Sequence, residues 1–305
     1  MQLGQYPDPV HTVAHLSDTH LLADGKRQYD VVDPERGLLL ALERIARIRP
    51  VPDAIVVTGD LADLGEPAAY ARVKELVEPA AAAIGAQVVW VMGNHDERLA
   101  YSKELFGAAT DTSQDAVHDV GGLRIVSLDS SVPGYHHGEL SAEQLAWLGE
   151  VLATPAPHGT LLALHHPPVP TPMVPAEAVL ELADQHLLAD VLRGSDVRSI
   201  LAGHLHFSTY STFAGIPVSV ASASCYTLDP APTSALLRGV DGGGAISMTH
   251  LYEDRVVHTV VPLDEAPEVY SIRAELAEDL AALSPEQRRE LLSRKDAGFD
   301  VTGAG

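Results

Sequence analysis

The sequence has almost no cysteine. The single Cys225 leaves no intramolecular disulfide to form and excludes a zinc site built from thiolates. Cations are scarce too: Lys and Arg total 20 against 42 Asp and Glu, a formal charge of −22. Duplex nucleic acid and acidic membranes are therefore poor bulk partners, and an anionic substrate has to be drawn in by a local positive centre. The opening residues, MQLGQYPDPV, hold neither a basic nor an apolar stretch, so no secretory signal is expected. The least polar run, 79–93, is interrupted by Gly and Gln and is too short to span a bilayer. A cytoplasmic enzyme is the expectation that remains.

What is present suits a packed α/β protein. With 305 residues and 46% apolar side chains the chain can bury a full core, as one large domain or two small ones. Strand-like runs recur at 13–16, 54–58, 87–92, 123–128, 160–165, 197–201, 216–221, 245–252 and 256–261. Between the first two, Asp33 can cap a helix with Pro34 at its first position and Leu38, Ala41, Leu42, Ile45 and Ile48 on one face. Ser141 and Gln144 have capping-box spacing ahead of Leu145, Leu148 and Leu152. The alanine-rich segment 80–86 reads as helix. Residues 262–305 read as one or two charged helices with a frayed, Gly-containing end.

The early strands end in one kind of chemistry. They are followed in turn by Ser17-Asp18-Thr19-His20, Gly59-Asp60, Gly93-Asn94-His95-Asp96, His165-His166 and Gly203-His204-Leu205-His206. In an open α/β sheet, ligands bind beyond the carboxyl ends of the strands, so five such clusters should converge on one crevice. Imidazole suits zinc and iron, oxygen donors suit harder ions such as manganese, and the donors are too many for one tetrahedral ion. Two ions about 3.5–4 Å apart, sharing a carboxylate, make a site of the kind used for phosphoryl-oxygen chemistry. In extended backbone, residues two apart point the same way, so Asp18 and His20 can reach one ion.

The series DTH, GD, GNHD, HH and GHLH over residues 18–206 resembles the calcineurin-like metallophosphoesterases. Within them, "GDLADLGEPAAY", "LDSSVPGYHHGELSAEQLAWL", "LALHHPPVP" and "AGHLHFSTYSTFAGIPVSVASASCYT" are similar to the class III cyclic nucleotide phosphodiesterases, above all their mycobacterial members, to about residue 262. The resemblance implies a four-layer α/β/β/α sandwich of two mixed sheets flanked by helices as a catalytic domain over 1–262, with 263–305 as a helical, flexible appendage. It puts Asp18, His20, His206 and a bridging Asp60 on one metal, and Asn94, His165, His204 and Asp60 on the other. Iron and manganese are the leading ions and zinc a third. A hydroxide held between them attacks phosphorus in line, His95 assists the leaving oxygen, and Asp63 orients His95. Asn94, His95 and the loop residues Tyr135, His136 and His137 are the candidate substrate contacts. His166 is expected behind the ligands, and Asp96 holding the GNHD turn through backbone hydrogen bonds. Cys225 is expected to be buried, and histidines outside these clusters, such as His15 and His258, to be satisfied in the core or on the surface.

Two departures narrow the resemblance. Purple acid phosphatases carry a tyrosine ligand where this chain has Asp63, which argues against a charge-transfer iron site. Protein phosphatases of the superfamily carry arginines in the GD and GNH motifs, where Leu64 and Asp96 stand here, which weakens the case for a clamp on a monoester dianion. The expected function is a dinuclear-metal phosphodiesterase for small diesters, 3′,5′- or 2′,3′-cyclic AMP foremost. The alternatives are a broad-specificity or glycerophosphodiester hydrolase and, outside enzymes, a metal-binding regulatory protein. The resemblance also implies a homodimer. Membrane contact through the C-terminal segment is weighed against a solvated helix, because "SPEQRRELLSRKDAG" carries nearly balanced charge.

Overall fold

A computed structural model describes residues 4–272 and 276–294. Residues 10–264 form one compact unit. Its elements run β1 (His11–Leu16), α1 (Pro34–Arg47), β2 (Ala54–Thr58), α2 (Pro67–Ile84), β3 (Gln87–Val91), α3 (Arg98–Phe106), β4 (Ala116–Val120), β5 (Leu123–Leu128), α4 (Ala142–Leu152), β6 (Thr160–Leu164), α5 (Gln185–Leu192), β7 (Val197–Ala202), β8 (Thr209–Phe213), β9 (Ile216–Val220), β10 (Thr227–Leu228), β11 (Gly239–Val240), β12 (Ala245–Leu251) and β13 (Val256–Pro262). A second unit joins the residues before 10 to those after 264, and its described part holds α6 (Leu276–Ala281) and α7 (Pro285–Leu292). The expected frayed end at 295–305 lies outside the described residues. Among the described residues no helix is long and apolar enough to cross a membrane.

The two large sheets have the orders β13-β12-β1-β2-β3 and β4-β5-β6-β7-β9-β8. Both are mixed: β1, β2 and β3 run parallel, as do β5, β6, β7 and β9, while β12, β13, β4 and β8 pair antiparallel. Alternation along the strands divides the core into layers. Ala14, Leu16, Ile55 and Val57 meet α1 to α3 through Leu38, Tyr70 and Tyr101. Val13, Ala54, Val56, Ile125, Leu161 and Leu201 fill the space between the sheets. Val126, Leu162 and Ile200 meet α4 and α5 through Leu148 and Leu188. The result is an α/β/β/α sandwich, the expected architecture.

Local signals explain the helix ends. Asp33 accepts the Arg36 N–H at 3.1 Å ahead of Pro34, and Ser141 and Gln144 form the capping box at α4. The alanine-rich helix stops at Ile84, two residues short of the expectation, because Gly85 takes φ +75° and donates to the carbonyls of Ala81 and Ala82. β4 and β8 fall outside the strand-like runs of the sequence. Each is an outer strand with every second residue exposed, so neither contributes the apolar run by which the inner strands are recognised.

Candidate metal centre

The five clusters converge beyond the carboxyl ends of β1, β2, β3, β6 and β7, so both sheets contribute. The local backbone is not extended as expected. Asp18, His20, Asp60, His204 and His206 all have left-handed φ, between +44° and +72°. Such conformations cost about 1–3 kcal/mol each and persist only when their surroundings hold them. Here Asp18 N–H donates to the Gly59 carbonyl at 3.1 Å, His20 N–H to the Asp60 carbonyl at 2.8 Å, and His204 N–H to the Asp18 carboxylate at 3.1 Å. Each kink turns a donor inward that straight β backbone would point elsewhere. Two glycines permit the crowding: a Cβ on Gly93 would lie 2.3 Å from Asp60 N and Oδ1, and one on Gly203 would lie 1.8 Å from Ser17 Oγ.

The histidine tautomers follow from their outer partners. His20 Nδ1 donates to Asp63 Oδ1 at 2.9 Å, His165 Nδ1 to the Thr58 carbonyl at 2.7 Å, and His206 Nδ1 to the Tyr226 carbonyl at 2.9 Å. In the neutral form each Nε2 is then a lone pair facing inward. His20 Nε2 and His206 Nε2 lie 3.1 Å apart, and Asp60 Oδ2 lies 3.3 Å from both His20 Nε2 and His165 Nε2. Asn94 Oδ1 is 3.0 Å from His165 Nε2 and 3.0 Å from His204 Nδ1. Lone pairs that confront one another in a buried place repel unless a cation stands among them. The donors divide into two sets that share Asp60: Asp18, His20 and His206, whose donor atoms with that of Asp60 all lie within 4.8 Å of one another, and Asn94, His165 and His204. This set of imidazole, carboxylate and amide donors fits iron, manganese or zinc.

Electrostatics act on the same groups, and the raised value of His165 marks a proton that a cation would displace from its Nε2. Burial opposes charge on Asp60, yet His165 and His20 beside it hold its carboxyl well below the usual carboxylate range. Burial likewise works against charge on His165, but Asp60 raises it to about 9. Burial pushes His206 down to about 4 despite Asp18.

His95 sits beside this cluster. Its backbone N–H donates to Asp60 Oδ1 at 2.8 Å, and its ring is 4.7 Å from that of His20. Its Nδ1 donates to the Asp63 carbonyl at 2.8 Å, while the Asp63 carboxylate is 4.0 Å away and committed to His20 and Gln28. The contact expected of the Asp63 side chain is therefore made by its backbone, and the side chain instead orients His20. His136 reaches the site, its Nδ1 accepting from Asn94 Nδ2 at 2.9 Å, which turns the Asn94 oxygen toward the donors. His137 does not; it pairs with Glu139 at 2.9 Å. His166 bonds Ser130 Oγ and the His136 carbonyl, holding that loop. Asp96 accepts from the backbone of Gly93, Leu61 and Ala62, the structural task expected of it. Cys225 is buried, with its sulfur close to the donor atoms of His20 and His206.

Three further residues at the site are not among those expected from the sequence. Glu177, buried in a short 3-10 turn, brings its carboxylate to 3.6 Å from His204 Nε2. Tyr226 sets its ring 4.5 Å from that of His206, tilted by 49°, and Tyr29 packs edge-on against Tyr226 at 5.7 Å. None follows a motif strand directly, and only chain packing brings them here.

Residues 11–208 match the family model described as calcineurin-like phosphoesterase. A probable cyclic nucleotide phosphodiesterase of Rhodococcus erythropolis is 55% identical over 85% of this chain and 86% of its own. A cAMP/cGMP dual specificity phosphodiesterase of Mycobacterium tuberculosis is 50% identical over 95% of this chain and 93% of its own. Among solved structures, a dimetal phosphatase from Danio rerio aligns with a TM-score of 0.60 at 20% identity, over 85% of this chain and 98% of that one, a likeness of fold.

Proposed function

Since the chain belongs to the calcineurin-like phosphoesterase family, we propose that it is a metal-dependent phosphodiesterase acting on small phosphodiesters, cyclic nucleotides foremost. The observation that carries this is the pair of donor sets sharing Asp60 Oδ2. The names of the relatives at half identity favour cyclic nucleotides over glycerophosphodiesters.

In this reading Asp18, His20 and His206 would hold one ion, Asn94, His165 and His204 the other, with Asp60 available to both. When bound, two such ions supply positive charge to the phosphoryl oxygens and bring a water's pKa toward neutrality. That charge also answers how an anion approaches a chain of net charge −22. The remaining work falls to side chains. Hydrolysis adds a water oxygen to phosphorus and breaks the bond to the sugar oxygen, which leaves as a strong base and needs a proton. His95, whose Nδ1–H donates to the Asp63 carbonyl, gives one from Nε2 when it is the doubly protonated imidazolium, a contribution worth about 10²–10⁴-fold. His136 Nδ1 accepts from Asn94, so its proton is on Nε2, available to a phosphoryl oxygen. The homodimer implied by the resemblance, the expected cytoplasmic setting, and iron with manganese as the ions belong to this proposal.

The test is kcat/KM for 3′,5′-cyclic AMP, 2′,3′-cyclic AMP and a chromogenic bis-aryl phosphate, on protein of measured metal content with manganese restored. Preference for 3′,5′-cyclic AMP supports the reading. Equal or better turnover of the other two makes this a diesterase of another substrate, and bound metal without turnover of any makes it a binding protein.

A further inference from the structure

Beside the donor cluster lies an open cavity of about 370 Å³ whose character is opposite to that of the cluster. Tyr226 stands at the junction. Its carbonyl fixes His206, its ring packs against the His206 imidazole, and the same ring lines the cavity. Tyr29 meets it nearly perpendicularly, at 79°, so the two rings present differently oriented aromatic faces. Val32, Leu228 and Val240 supply apolar walls, and Asp241 is the one ionisable lining residue besides the tyrosines. The cavity is assembled from the turn at 29–32 and the small β10-β11 ribbon, neither of which bears a metal-ligand motif.

We propose that this cavity is the nucleobase subsite. The inference rests on the phosphodiesterase reading above and deepens it. A cyclic nucleotide is divided in the same way as the site: one negative charge on the phosphate and a neutral, flat, aromatic base at the other end. The donor cluster suits the first. An apolar pocket walled by two tyrosines suits the second, because a base gains from stacking on an aromatic face whatever its edge pattern. The Asp241 carboxylate at the lining offers an acceptor to the exocyclic amino N–H of a base such as adenine. Base contact, for which the sequence offers the loop residues Tyr135, His136 and His137 as candidates, thereby falls to residues 29–32 and 226–241, while His136 remains with the reacting phosphate.

The experiment compares kcat/KM for 3′,5′-cyclic AMP with that for the 3′,5′-cyclic phosphate of methyl riboside, which keeps the diester and sugar but has no base. The ratio of the two is measured for the wild type, Tyr29→Ala, Tyr29→Phe and the cavity-filling Val240→Trp. Tyr29 is 76% exposed, so its replacement does not open the core. The expected result is a wild-type ratio well above one that falls roughly tenfold in Tyr29→Ala and Val240→Trp and survives in Tyr29→Phe. A high ratio unchanged in both disrupting variants overturns the subsite and leaves the cyclic nucleotide reading standing. A wild-type ratio near one likewise overturns the subsite alone, and no turnover of either compound overturns both.

Discussion

Acidification from about pH 7.5 to about pH 5 should cost the fold free energy through His15 in particular. His15 lies between the two sheets with no exposed surface. Its Nε2 bonds Thr58 Oγ1 at 2.8 Å and its Nδ1 has no partner. Burial, with the imidazole of His258 nearby, pushes it from the ordinary 6.5 down to about 3. The folded value lies below the unfolded one, so the neutral form's stability is fully present above 6.5 and drains away as pH falls toward 3. At pH 5 the gap from 6.5, at about 1.4 kcal/mol per unit, comes to roughly 2 kcal/mol from this one side chain. The assay is urea denaturation of chelator-stripped protein at both pH values, for the wild type and His15→Leu. Leucine is of similar bulk and leaves Thr58 Oγ1 its contacts with Ser17 Oγ and the Leu16 carbonyl. The variant should lose about 2 kcal/mol less than the wild type over the same interval. Equal losses would refute the argument by showing that His15 is not buried neutral.

Asp63→Asn should weaken metal binding about 10–100-fold at the His20 side, because the carboxylate that fixes His20 Nδ1 at 2.9 Å becomes an uncharged amide; competition against a chelator reads it, and unchanged affinity would remove Asp63 from that role. Gly203→Ala forces a methyl group into Ser17 Oγ at 1.8 Å and Asp18 Oδ2 at 2.8 Å, so it should cost on the order of 1–3 kcal/mol and displace a ligand. Its thermal midpoint should fall and should respond less to added manganese than the wild type's; a wild-type response would show that the crowding relaxes harmlessly.

The sequence by itself determined the chemical class of this protein. Runs such as AIVVT at 54–58 and LRIVSL at 123–128 become strands with those bounds, since a doubly buried strand advertises itself locally through continuous apolar residues. Asp, Asn and His at the ends of five such runs then specify metal-donor chemistry in a crevice, with family resemblance naming the ligands. Tertiary structure decided the rest. That His204 offers Nδ1 while its neighbours offer Nε2, that Asp63 serves His20 with its carboxylate and His95 with its carbonyl, and that Tyr29 and Tyr226 wall one cavity are outcomes of packing. His20 and His206 meet at 3.1 Å across 186 positions of chain. The physical reason is range: periodicity and capping act over a few residues, whereas tautomers, donor angles and cavities depend on which strands become neighbours.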